Sequence, residues 1–239
     1  MNRPKAIFLL CMILLLTGCT DFFMICSLNP FYLDKNITLA PAIEGRWSAK
    51  PLHMNLEKKQ EEKNDVWKLM DTTSIWKIER RISRETLKGS HGKDSIAYRA
   101  LNFYRVSLIG SSPDSSVYQF KMVLFRVKRA LYADFMPVEN TGLEKSRFAS
   151  ESYFKIHTLA RVIIQNGQLQ LSWLGASYMK DMIEKKRVRI NYRWISDAGR
   201  LLLTGSSGKL TGMIEHYAGE PRFIDWDKQP AMLKLNPVK

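Results

Sequence analysis

Apolar and polar positions alternate along most of the chain between residues 76 and 173, the pattern of half-buried β-strands. Short turn signals separate the alternating runs, and Asn166-Gly167 is typical of a two-residue type I′ hairpin. Strands joined this way are usually antiparallel neighbours. The predicted strands cover residues 76–82, 96–109, 118–124, 130–138, 153–165 and 168–173. The pattern therefore predicts an antiparallel meander.

The apolar spacing becomes helical after this meander. Apolar residues recur every three or four positions from Trp173 to Ile183, and the cations 185–187 follow where a helix dipole favours them. Two short strands over 188–195 and 201–204 precede a second helix, which Ser206 or Ser207 is expected to cap and which ends near Tyr217. The predicted fold class is mainly β with minor α, an antiparallel barrel-like sheet with two C-terminal helices.

The N-terminal residues show a different pattern, a short apolar run behind a basic start. Residues 6–16 are apolar and follow Arg3 and Lys5, and the run is well below the roughly 20 residues that span a bilayer. Such a run followed by small residues predicts a secretory signal peptide. Leu16-Thr17-Gly18-Cys19 resembles the lipobox of bacterial lipoproteins, in which the cysteine is acylated and becomes the first mature residue.

The lipobox resemblance implies a protein held on a membrane surface by acyl chains on Cys19. Two or more chains, palmitate among them, give a stable anchor. The alternative is a transmembrane anchor over residues 6–25, although Gly18, Thr20 and Asp21 interrupt that run. In enterobacterial lipoproteins an Asp directly after the cysteine signals inner-membrane retention. Asp21 lies one position later, which favours the outer membrane of a bacterial cell envelope.

The chain after the signal is expected to form one folded body. We assign 1–18 to a lipoprotein signal peptide, 19–42 to a lipidated tether and 43–239 to a single β-rich domain. The charged run at 57–63 has no apolar face and predicts an exposed segment. Removal of the signal and acylation of Cys19 leave Cys26 as the one thiol, so no internal disulfide is expected.

The net charge of the chain limits the classes of partner that we expect. The chain has 37 Lys and Arg against 23 Asp and Glu, a formal net charge of +14. A tethered basic protein is attracted to anionic lipid, and an anionic envelope polymer is an equal candidate. Export and the scattered placement of the cations argue against nucleic acid. The predicted partner is therefore the membrane through Cys19, and the protein partner is left open. Anionic lipid or an envelope polymer is a candidate further partner, against the alternative of a cationic surface that is only solvated.

Two short motifs near the start of the predicted domain point to a family. Asn29-Pro30-Phe31-Tyr32 followed by Gly45-Arg46-Trp47 resembles the opening of a group of uncharacterised bacterial lipoproteins. Further stretches similar to that group are 120–124, 133–137, 156–162 and 201–210. The resemblance implies an envelope location and a fold type, and no activity.

Gly45-x-Trp47 also resembles the opening of lipocalins, where the tryptophan plugs the closed end of an eight-stranded barrel. The chain departs from that pattern at Ser48-Ala49-Lys50, inserts a charged loop at 50–65 and adds a late helix. Aromatic residues on the early strands either line an apolar pocket or fill a core. The candidate ligand-lining residues are Trp47, Trp76, Tyr104 and Phe120.

The histidines, serines and carboxylates of the sequence form no catalytic or metal-binding signature. No two of the four histidines have metal-ligand spacing. His157 could in principle meet Asp134 across the sheet, and we expect a hydrogen-bonded core or rim histidine there, with a catalytic base as the alternative. Gly205 to Thr211 superficially resembles a phosphate-binding loop, but Leu203 stands where that loop needs glycine. The sequence therefore predicts no catalytic residue, no metal and no cofactor.

These expectations describe a membrane-anchored envelope lipoprotein that acts as a non-enzymatic binding or structural module for a lipidic or other apolar ligand. The first alternative is a module that docks on a protein or polymer through its basic surface. An envelope hydrolase is the third candidate, and it predicts activity that is lost in His157→Ala without loss of folding.

Overall fold

Eight antiparallel strands of the described residues close into a barrel. The computed structural model describes residues 24–53, 75–87, 97–109, 118–138, 156–195, 200–218, 224–229 and 231–238. Its strands are β1 (Cys26–Ser27), β2 (Gly45–His53), β3 (Ile75–Leu87), β4 (Ala97–Ile109), β5 (Tyr118–Val127), β6 (Ala130–Pro137), β7 (His157–Gln165), β8 (Gln168–Trp173), β9 (Tyr192–Ile195), β10 (Arg200–Leu203) and β11 (Ala231–Pro237). The helices are α1 (Ala176–Glu184) and α2 (Ser207–Tyr217).

The barrel runs in the order β2-β3-β4-β5-β6-β7-β8-β11, and β11 pairs with β2 to close it. The predicted mainly β, barrel-like fold with two helices is confirmed. The sequence assigned no strand to residues 231–237, although this segment pairs with β2 on one side and β8 on the other. The strand that closes the barrel therefore comes from the end of the chain, after both helices.

A second layer covers one side of the barrel wall. β1 pairs with β7 and also with β10, and β10 pairs with β9. The two helices pack with these strands on an apolar cluster that includes Phe125 and Tyr132 from the outer face of β5 and β6. In β6, Leu131, Ala133 and Phe135 belong instead to the barrel interior. This strand is therefore buried on both faces.

The segment predicted as a tether is packed from Met24 onward. Ile25 and Phe31 have no exposed surface, and Ile37 forms an isolated bridge with Phe125 on the outside of β5. Thr38 N–H donates to the Leu124 carbonyl at 2.9 Å. The described part of this segment therefore belongs to the folded body. Cys19, the predicted signal peptide and the charged run at 57–63 lie outside the described residues.

Local sequence signals were mostly accurate. Asn166 and Gly167 have φ values of 52° and 70°, as the type I′ hairpin requires. The helix predicted near Trp173 begins at Ala176, because Trp173 itself is the last residue of β8. Ser206 is the N-cap residue of α2, but its side chain makes no capping hydrogen bond. No helix among the described residues is both long and apolar enough to cross a bilayer.

Candidate functional site

The four aromatic residues predicted to line a ligand cavity lie in the barrel interior. Trp47 and Trp76 are 5% and 4% exposed and Tyr104 is fully buried, while Phe120 is half-buried against the same cluster. Interior positions of small barrels are commonly filled by side chains in this way. Their role in ligand binding stays a prediction, and their packing role is visible in the structure.

Hydrogen bonds tie two of these residues to the segment before β2. The Trp47 indole N–H donates to the Ile43 carbonyl at 2.8 Å. The Tyr104 hydroxyl accepts the Ala40 N–H at 2.9 Å. Trp76 differs, because its buried indole N–H has no hydrogen-bond partner among the residues that the structure describes. The hydrogen bonds of Trp47 and Tyr104 therefore hold the segment that leads into β2 against the barrel.

The outer wall of the barrel carries a buried aspartate–histidine pair. Asp134 on β6 is 1% exposed and His157 on β7 is 8% exposed, and His157 Nδ1 lies 2.6 Å from Asp134 Oδ1. The other carboxylate oxygen of Asp134 accepts the Phe31 N–H at 2.8 Å. The sequence prediction that the two residues meet across the sheet is confirmed.

The strand register explains this meeting. Asp134 pairs directly with Leu159, so His157 lies two residues along β7 on the same outer face, at a diagonal cross-strand position. An ionised carboxylate only accepts hydrogen bonds, and Nδ1 therefore carries the ring proton. Nε2 makes no hydrogen bond within the described part of the chain, so this nitrogen is left for a ligand, as an acceptor in the neutral ring and as a donor in the protonated one.

A hollow of about 410 Å³ lies beside this pair. We call it the dyad hollow, and its wall combines Asp134 and His157 with groups from four further segments. The other residues that line it are Pro30, Tyr32, Leu33 and Asp34 before β2, Leu101 on β4, Lys121, Val123 and Met136 on β5 and β6, and Ser207 at the start of α2. Its volume lies in the range of small-ligand sites.

The dyad hollow combines apolar wall with polar and charged side chains, among them Asp34, Lys121 and Ser207. Leu101 and Val123 are buried, whereas Ser207 is half-buried and Lys121 places its ammonium group 5.2 Å from the Phe103 ring centroid. The unused imidazole nitrogen of His157 and the Ser207 hydroxyl can both accept a hydrogen bond. This arrangement suits an amphiphile with a hydroxyl-bearing polar head.

Phe31 connects the dyad hollow to the helical layer. Its N–H donates to Asp134, and its carbonyl lies 3.1 Å from the Thr211 hydroxyl on α2, whose one proton it shares with the Ser207 carbonyl at 2.8 Å. Its ring is fully buried in the cluster beneath the helices. The Asp134–His157 pair therefore also fastens the lead-in segment and α2 onto the barrel, a role that the sequence did not indicate.

A larger hollow, of about 770 Å³, opens between α1, α2 and the segment that leads into β9. Ile183, Val188 and Met213 supply apolar wall, and Arg189 and Lys209 are exposed at its edge. His216 and Tyr217 of α2 meet edge to face, with ring centroids 4.6 Å apart. The lining contains no carboxylate among the described residues, so the hollow favours an anionic group.

Two buried tyrosines are perturbed by their surroundings. Burial raises the pKa of Tyr104 above its ordinary value, although the hydrogen bond from Ala40 acts in the opposite direction. Burial also raises the pKa of Tyr132, and the positive charge of Arg161 partly offsets this. Both hydroxyls therefore stay neutral to a higher pH in the folded protein than in the unfolded chain.

Within the described ranges, no three His, Cys, Asp or Glu side chains form a group that could hold a metal ion. Leu203, where a phosphate-binding loop would need glycine, is fully buried at the end of β10. Gly205 is packed closely, since a Cβ built there would lie 3.4 Å from Ile190. Comparisons of the chain with family models, curated proteins and solved structures found no match.

Proposed function

We propose that this protein is a lipid-anchored lipoprotein of the bacterial envelope that binds a small amphiphilic ligand without turning it over. The observation that carries the proposal is the dyad hollow, in which a buried Asp134–His157 pair meets apolar wall. The lipobox-like Leu16-Thr17-Gly18-Cys19 supports the anchor, with the outer membrane favoured over the inner.

The dyad hollow suits this ligand better than the barrel interior does. The interior holds large side chains in mutual contact, with Phe135 and Trp173 ring centroids 5.4 Å apart and Trp76 and Trp173 centroids 6.3 Å apart. The dyad hollow, in contrast, offers a space of about 410 Å³ to a ligand. We therefore propose that the lipidic ligand binds at the outer wall, and not among the interior aromatic residues that the sequence predicted to line its cavity.

Native mass spectrometry of the lipidated full chain, extracted from envelopes in mild detergent, tests the proposal. The native mass is compared with the mass of the same sample after denaturation, so that any difference is a non-covalent ligand. We expect an extra mass on the wild-type protein. A bare wild-type mass contradicts a tightly held ligand and overturns the proposal.

Two variants locate the ligand. Ser207→Phe places a ring in the dyad hollow while leaving the Asp134 hydrogen bonds in place, so the extra mass should disappear. His216→Ala changes an exposed histidine of α2 that lies outside the dyad hollow, and the extra mass should remain. An extra mass that survives in Ser207→Phe places the ligand elsewhere and overturns the assignment.

A hydrolase is the second candidate, favoured by the presence of Ser207 in the same hollow as the Asp134–His157 pair. Apo enzymes often show loose contacts between nucleophile and base. Treatment of the same sample with a fluorophosphonate probe separates the two functions. A covalent adduct on Ser207 that is lost in His157→Gln favours the hydrolase, and an unmodified Ser207 favours the binding module.

A further inference from the structure

The chain enters the folded body next to the first turn of α1. Met24 forms an isolated antiparallel bridge with Gly175, the N-cap residue of α1. The Ile25 N–H donates to the Leu174 carbonyl at 2.8 Å. Five residue steps connect Met24 with the proposed anchor at Cys19, which is at most about 18 Å of fully extended chain. If Cys19 is acylated, this side of the molecule lies close to the bilayer.

Exposed aromatic side chains lie on the same side. Tyr192 and Trp194 of β9 are 38% and 44% exposed and contact each other edge to face, with ring centroids 6.1 Å apart. The Lys180 ammonium of α1 lies 5.6 Å from the Trp194 ring centroid. Since an α-helix rises 1.5 Å per residue, Lys180 is about 7.5 Å along the axis from Gly175. Tryptophan and tyrosine are enriched where proteins meet the headgroup region of a bilayer.

Basic residues surround these aromatic side chains. We call this surface the basic–aromatic face, and we define it as Lys180, Arg189, Tyr192, Trp194, Lys209 and His216. The acids of α1 have partners, with Asp181 2.6 Å from Lys185 and Glu184 3.9 Å from Lys180, so Lys180 and Glu184 together add no net charge to the face. Arg189 and Lys209 have no ion-pair partner among the described residues, and both line the 770 Å³ hollow. The charge of the face therefore matches an anionic surface.

We propose that the basic–aromatic face docks on anionic phospholipid, with a lipid phosphate held between Arg189 and Lys209 at the mouth of the larger hollow. The proposal rests on the acylation of Cys19 given under the proposed function. The short connection to Cys19 brings the face to the membrane, Trp194 and Tyr192 enter the headgroup layer, and the cations bind the phosphates. The protein is thereby held in one orientation, with α1, α2 and β9 towards the bilayer and the opposite wall, β3, away from it.

The experiment uses the lipidated full chain in two kinds of vesicle, phosphatidylcholine alone and phosphatidylcholine with phosphatidylglycerol, each with brominated acyl chains that quench tryptophan. Protein should sediment with both kinds through its acyl chains. Trp194 emission, isolated as the difference between wild type and Trp194→Phe, should be quenched mainly in the vesicles with phosphatidylglycerol. Raising salt from about 0.1 M to about 0.5 M should relieve the quenching, because salt screens exposed charges.

Charge-reversal variants provide the matched comparison. Arg189→Glu/Lys209→Glu should lower the ratio of docked to undocked protein at least about 25-fold, since each basic residue near an anionic surface contributes about fivefold. Arg46→Glu/Arg80→Glu removes the same charge from exposed positions on β2 and β3 and should keep the quenching. Equal loss in both variants indicates net charge alone and overturns the proposed face.

The outcomes separate failure of docking from failure of the anchor. Protein that does not sediment with phosphatidylcholine vesicles lacks the acyl anchor, which contradicts the proposed function. Protein that sediments with both vesicles while Trp194 stays unquenched in both overturns the docking proposal and leaves the anchor intact. If sedimentation and Trp194 quenching both occur only with vesicles that contain phosphatidylglycerol, the docking proposal is supported although the anchor is absent.

Discussion

At the residue scale, Asp134 holds together parts of the molecule that are far apart in sequence. One oxygen of its carboxylate binds the imidazole of His157, and the other accepts the Phe31 N–H. Asp134 is 1% exposed, so neither bond is replaced by water when it is lost. When a buried polar group loses its hydrogen-bond partner, no water replaces it, and the full cost of desolvating the group then destabilises the folded state. A single side chain thus links the lead-in segment, β6 and β7.

Asp134→Ala should therefore lower the free energy of unfolding by about 3 kcal/mol, because it leaves the Phe31 N–H and the His157 ring without their acceptor. Asp134→Asn keeps one acceptor and should cost about 1 kcal/mol. Urea unfolding followed by circular dichroism measures both. Equal stability of Asp134→Ala and wild type would mean that the pair does not fasten the lead-in segment.

A contact between Asp134 and His157 could be considered from the sequence, while the rest of the dyad hollow could not be predicted. Both residues lie on strands that alternation predicts, which allows a contact across the sheet, while the register that produces it comes from the structure. Ser207 and the residues before β2 arrive through irregular backbone, which has no repeating pattern to extrapolate. Phe31 illustrates the reason, since it is fully buried in a segment whose composition resembles a tether.

At the element scale, turn chemistry and strand alternation determined the meander, and both are local signals. β11 was not predicted from the sequence, because its partner strands β2 and β8 lie far away along the chain. It also contains a register shift between Met232 and Leu233, which interrupts the alternation. The hairpin at Asn166-Gly167 shows the opposite case, in which two residues are sufficient. Its backbone conformation follows from residue type alone.

A pair of glycine substitutions tests this local account. Gly167 has φ of 70° and open space around a built Cβ, so Gly167→Ala should lower the free energy of unfolding by about 1 kcal/mol through backbone strain alone. Gly212 lies inside α2, also with open space and without positive φ. Gly212→Ala should raise stability by up to about 1 kcal/mol because alanine favours helix.

The two substitutions are chemically identical, so each serves as the control for the other. Thermal and urea unfolding should show opposite shifts of the midpoint. Shifts in the same direction would indicate that packing around the new methyl group, and not backbone conformation, decides the outcome. This would contradict the hairpin geometry or the helical context on which the prediction rests.

At the scale of the whole molecule, the barrel and the helical layer share the strands between them. β5, β6 and β7 present one face to the interior and the other to the cluster that holds β1, β10 and the helices. Tyr132 of β6 lies in that outer cluster, stacked on Phe125 and tilted against Trp226, with ring centroids 5.6 and 5.8 Å apart. Ionisation of this ring would place a charge between the two layers.

The stability of the fold should consequently fall in alkali. The pKa of Tyr132 is raised by burial, so above about pH 10 the unfolded chain releases its proton while the folded protein retains it. The folded state then binds more protons than the unfolded state, and the free energy of unfolding decreases as pH rises. The stabilisation is fully present below the unfolded pKa and is lost as pH rises through the folded pKa.

Tyr132→Phe isolates this contribution from the other groups that titrate in alkali. Its hydroxyl has no hydrogen-bond partner among the described residues, so the variant should match the wild type near neutral pH. From about pH 9 to about pH 11.5 the urea midpoint of the wild type should fall more steeply than that of Tyr132→Phe. Parallel decreases in the two proteins would show that Tyr132 ionises as readily in the folded state as in the unfolded chain. The outer cluster would then be open to water at this ring, contrary to the burial that joins the helical layer to the barrel.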